Sequence, residues 1–144
     1  MVTRKLRRWR DRGAAAVEFA LILGPLVVLI FGSIEFGLAI QARTMVANAA
    51  REGVRVASLG GTDADAQLAV TTALVGITSA GPPTITTSCT VPSTNQACVL
   101  GAATGNRGNI ATVTVTVHYV GVTGLFTLLT NAPLTGSSYM RIEH

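Results

Sequence analysis

The side chains able to do chemistry in this chain of 144 residues are few and scattered. A catalytic site needs a nucleophile, a base and an orienting group that converge, or a set of metal ligands. Beyond residue 58 the only acids are Asp63, Asp65 and Glu143, and the only histidines are His118 and the last residue, His144. No G-x-S-x-G, H-E-x-x-H or phosphate-cradling glycine loop is present. His118 lies in a threonine-rich run and reads as a solvated sheet residue. Cys89 and Cys98 form no C-x-x-C pair, and neither histidine has ligand spacing. The expectation is a protein with no catalytic residue, no metal and no cofactor.

Two features remain. Cys89 and Cys98 flank eight residues that include Pro92, Ser93, Thr94 and Asn95, a turn-prone loop that a disulfide would close. Outside the cytoplasm an even cysteine count favours that bridge over two free thiols. Glu18 stands inside an apolar run, where insertion of a central acid costs about 2.5–3.5 kcal/mol. Near the membrane boundary it reads blandly as a snorkelling acid. Functionally it awaits a positive partner, and cleavage after Gly13 would create one, the α-amino group of Ala14 on a neighbouring copy or partner helix. Glu35, 17 residues further on, reads as an acid at the outer interface.

The element that positions Glu18 is long. Ala14 to Ala42 is almost wholly apolar, and Phe19 to Ile34 carries no charge. A bilayer core needs about 20 apolar residues in a helix. The run exceeds the h-region of a secretory signal, about 7–15 residues, which leaves a plain anchor or a prepilin-type segment as the stronger readings. Composition agrees: 49% of residues are hydrophobic and only 12% charged, about half the usual charged fraction. The net charge of +4 is local, because residues 1–13 hold six basic residues against Asp11 while the rest holds five basic and six acidic. A basic arm beside an apolar run fits a cytoplasmic flank rather than nucleic-acid binding. The N-terminus is therefore expected inside and the C-terminus outside.

Helical spacing continues past the apolar run. Val46, Ala49 or Ala50, Gly53 or Val54, and Ala57 share a face, with Arg51, Glu52 and Arg55 opposite and Glu52–Arg55 an i,i+3 pair. One helix from Ala14 to about Ser58 is predicted, kinked at Pro25. Gly60-Gly61 ends it. Thr62 and Asp65 resemble a capping box, opening a short helix to about Gly76 whose apolar face is read as Ala64, Leu68, Thr71 or Thr72, and Val75. After Gly81-Pro82-Pro83, Thr84–Val91 reads as a strand with Cys98–Leu100 as its return, and Gly101–Asn109 as an exposed loop. Ile110–Val120 alternates strictly, with Val113, Val115, Val117 and Tyr119 on the buried face. Leu134–Ile142 is the last strand, with Leu134, Met140 and Ile142 on one face. Leu125-Phe126-Thr127-Leu128-Leu129 reads as an apolar turn packed on the core. The predicted fold is α+β: residues 1–13 a basic leader, 14–42 a transmembrane helix, and 43–144 a small extracytoplasmic domain with an antiparallel sheet of three or four strands.

The run Arg12-Gly13, then Ala14-Ala15-Ala16-Val17-Glu18-Phe19-Ala20-Leu21 with Pro25, resembles the start of TadE-like proteins. These are minor pilins or pseudopilins of the tight adherence (Flp) pilus machinery, a branch of the type IV pilus systems. The likeness continues through Ile34-Glu35-Phe36-Gly37 and Asn48–Arg55, and more loosely into the alternating Val/Thr strand and Ser138–Glu143. Glycine followed after four residues by Glu-Phe implies a prepilin peptidase site. Gly13 would close the leader, Ala14 would begin the mature chain, and Glu18 and Phe19 would follow. The resemblance also implies a bacterial cytoplasmic-membrane location, a prepilin peptidase and other pilins as partners, and possible incorporation into a pilus. An uncleaved single-span protein with an outer ligand- or partner-binding domain is the alternative.

Overall fold

The computed structural model describes residues 3–102, 105–121 and 133–143. One helix, α1 (Thr3–Ser58), runs through Pro25 without interruption. Its many alanines and leucines favour helix despite Gly24 and Pro25, and its stretch from Gly13 is long and apolar enough to cross a membrane. It stops at Gly60, whose φ of 92° suits glycine. The Gly60 N–H donates to the Ala57 carbonyl and the Gly61 N–H to that of Val56, the paired bonds of a Schellman end.

α2 (Asp63–Ala73) follows at once, opened by the expected capping box. The Asp65 N–H donates to the Thr62 hydroxyl at 3.3 Å, and the Thr62 N–H donates to the Asp65 carboxylate at 2.9 Å. Its buried face differs from the reading of the sequence. Ala66 and Val70 are fully buried and Leu74 nearly so, whereas Leu68 and Val75 are 66% and 77% exposed. The reason is on α1. A Cβ on Gly53 would meet Val70 Cγ2 at 2.5 Å, so the bare backbone at Gly53 leaves a recess that seats Val70 and draws α2 in by that side.

Four strands form one antiparallel sheet: β1 (Thr84–Thr90), β2 (Ala97–Cys98), β3 (Ile110–His118) and β4 (Pro133–Arg141), in the order β2-β1-β3-β4. The fold is thus α+β, as the patterning predicts. Nine consecutive pairs join β3 to β4, from Ile110–Arg141 to His118–Pro133. The alternation of β3 holds in full: Ala111, Val113, Val115 and Val117 are buried, and Thr112, Thr114 and Thr116 line the outer face. Leu134, Gly136, Ser138 and Met140 share the inner side of β4, and Gly136 lets α1 approach closely. A Cβ there would lie 2.9 Å from the Val46 carbonyl oxygen and 3.0 Å from Ala47 Cα.

The core lies between α1, α2 and the sheet, with Val46, Val54, Val70, Val113, Val115 and Val117 as its largest fully buried side chains. The 101–109 connection is not a simple exposed loop. Asn106 and Asn109 are buried in it, Asn106 Nδ2 donating to the Val99 carbonyl and Asn109 Nδ2 to Asn106 Oδ1 at 3.4 Å. The anticipated apolar turn at 125–129, and His144, lie outside the described residues.

Candidate functional site

The stretch of α1 that carries Gly13, Ala14, Glu18 and Phe19 touches nothing else among the described residues. Gly13 has open space around its Cα, and Phe19, Leu21 and Ile22 are 65–70% exposed. Helix geometry alone positions these groups. Gly13 and Glu18 are five residues apart, about 7.5 Å along the axis. From Glu18 to Glu35 the helix advances about 25 Å, with no charged side chain between. That is an apolar cylinder with a carboxylate near each end.

Burial on α1 begins at Glu35, which is 3% exposed. The sequence leads one to expect an acid at the outer interface; the structure adds that the domain covers it. Tyr119, at the end of the β3 alternation, is 4% exposed, and its hydroxyl has no hydrogen-bond partner among the described residues. Burial, and after it the Glu35 carboxylate, push the Tyr119 hydroxyl up from its ordinary value. No sequence pattern announced the burial of Glu35, because a single acid in an apolar helix does not say which surface will meet it.

Cys89 and Cys98 face each other across the β1–β2 ladder with Cα atoms 4.9 Å apart and sulfurs bonded. The bridge closes the 91–96 turn at the end of the sheet away from Tyr119, where Asn95 takes a φ of 54°. This is a staple, with no reactive thiol among the cysteines.

Two further acids are occupied by local structure. Arg55 donates to Glu52 at 2.6 and 3.0 Å, and hydrogen bonding from Arg55 holds the Glu52 carboxyl below its usual range. Hydrogen bonds from the Thr62 hydroxyl, and then from its N–H, do the same for Asp65. These two acids border a shallow groove floored by Leu68, Ala69 and Thr72, and neither is poised as a base. His118 is exposed, at the end of β3. No group of metal-ligating side chains occurs among the described residues.

The family model described as TadE-like protein matches residues 13–55. No curated protein and no solved structure matches the chain. The match begins at Gly13, takes in the exposed apolar cylinder and Glu35, and ends at Arg55, within the part of α1 packed on the sheet. The sheet itself lies beyond it. The likeness to TadE-like proteins is thus confined to residues 13–55.

Proposed function

We propose that this chain is a non-enzymatic minor pilin or pseudopilin that takes part in assembling tight adherence (Flp) pili, processed by a prepilin peptidase after Gly13. It spans the bacterial cytoplasmic membrane once, with the basic arm inside and residues 43–144 outside, and it joins other pilins of the same system. The observation that carries this reading is Glu18, on an uncovered apolar helix inside a TadE-like segment that starts at Gly13. Cleavage there places a new ammonium on Ala14. In a bundle of such helices, Glu18 of one subunit and the N-terminus of its neighbour compensate each other's charge in an apolar setting. The arm of six basic residues orients the span before cleavage.

The test is the N-terminal sequence of the mature protein, expected to begin at Ala14. A chain beginning at Met1 or Val2 would leave an uncleaved anchor with an outer partner-binding domain. Glu18→Ala adds a second readout. Removing one member of a buried ion pair costs about 3–5 kcal/mol, so the variant is expected to insert and be cleaved yet fail to crosslink to co-expressed pilins. Normal crosslinking would eliminate the pairing role. Gly13→Ala is expected to block or slow cleavage.

A further inference from the structure

The two edges of the sheet are finished differently. On one side β2 is only two residues long and is tied to β1 by the disulfide. On the other, β4 offers nine residues with no strand paired to its outer side among the described residues. Long edges are normally blunted by charges, prolines or bulges. From Leu134 to Met140, β4 has none of these, and its register with β3 is unbroken. Met140, on the helix-facing side, remains 41% exposed.

α1 lies directly beneath this edge and runs in the same direction as β4. Ala47 meets Gly136, Ser58 Oγ lies 3.2 Å from Met140 Sδ, and the Glu143 N–H donates to the Ser58 carbonyl. Arg43 and Arg51 stand one turn before and one turn after Ala47, so they share its side of the helix. Both are exposed, and neither makes an ion pair among the described residues; Arg51 donates only to Asn48 Oδ1, at 3.1 Å. Beside the open backbone row there is thus a row of two arginines eight residues apart, about 12 Å along the helix. Two side chains on one face of a strand and four residues apart span about 13 Å.

We propose that the open edge of β4 receives an extended strand from a different polypeptide, one carrying two acidic residues four positions apart on its helix-facing side. Main-chain hydrogen bonds would supply the affinity and the arginine row the choice of sequence. A second copy of this chain does not fit. None of its four strands contains an acidic residue. An antiparallel β4–β4 pair would also reverse one α1 relative to the other, which two chains inserted the same way in one membrane cannot do; that last point alone rests on the spanning reading.

The test uses the full chain in detergent micelles and a fluorescent nine-residue peptide, TETVTETVT, with glutamates at its second and sixth positions. Controls are its lysine counterpart and two versions N-methylated at alternate residues, one for each edge of the peptide. The acidic peptide is expected to bind about tenfold more tightly than the lysine peptide, and one N-methylation phase to abolish binding while the other is tolerated. Arg43→Glu with Arg51→Glu, both on the exposed helix surface, is expected to reverse the preference. Equal binding of the two charges, indifference to both N-methylation phases, or no binding of any peptide would overturn the proposal. So would self-association of the chain that the peptide displaces, since it would seat a second copy on the edge.

Discussion

The two halves of α1 differ in composition and in surroundings: Ala14–Ile34 carries one charged side chain, Glu18, whereas Glu35–Ser58 carries five. From Ala14 to Ile34 the side chains are almost all exposed, and Gly24 has open space where a Cβ would be. From Glu35 to Ser58 one face is sealed: Val46, Ala49, Ala50, Val54 and Ala57 are at most 1% exposed, and Gly53 and Gly136 are contact points that admit no side chain. The first half presents large apolar groups all round, which suits a surrounding of lipid or other helices. The second confines small residues to one stripe, which lets a sheet and a helix come close. Number, size and placement of the apolar residues together separate a helix that awaits its environment from one that brings it along.

The largest expected break in this comparison comes from the staple. Removing the Cys89–Cys98 bridge by Cys89→Ser with Cys98→Ser should destabilise the domain by about 2–4 kcal/mol. In micelles, amide exchange should then speed up over 46–57 while 15–34 stays protected. Loss of protection in both halves together would show that they are one unit. The glycines sharpen the contrast further. Gly53→Ala or Gly136→Ala forces a Cβ into Val70 or the α1 backbone and should cost about 1–3 kcal/mol. Gly24→Ala, with nothing within 4 Å, should be neutral or stabilise the helix by up to about 1 kcal/mol. A thermal series on the three variants checks the sign, and equal shifts would sink the distinction.

Smaller effects follow at the junction of α1 and α2. Thr62→Ala removes the N-cap and should cost about 1 kcal/mol. The Thr62 bonds lower the Asp65 carboxyl in the folded chain, so their contribution is present above the unfolded carboxylate value and fades as pH falls through the lower, folded one. Thr62→Ala should therefore flatten the acid limb of the stability curve, seen as a smaller difference from wild type at low pH than at neutral pH. The exposed Glu52–Arg55 pair should matter least, with Glu52→Gln leaving the melting temperature almost unchanged.

Much was legible in the residues because it follows from local rules. The run from Ala14 to Ala42 demands an apolar surrounding, Thr62 and Asp65 cap a helix wherever they fall at that spacing, and strict alternation over Ile110–Val120 leaves only one face to bury. The Gly13–Phe19 segment is legible for the same reason, since one helix sets its geometry. Tertiary structure decided what depends on a second surface. In α2 apolar residues sit on every side, so periodicity could not choose between Leu68 and Val70; the recess at Gly53 chose. Nor could sequence show that Glu35 is covered by the domain, or that β4 pairs with β3 and leaves an edge open beside Arg43 and Arg51. Those outcomes depend on which surfaces meet, and the pairing of distant surfaces is set by packing the whole chain at once, not by any window of it.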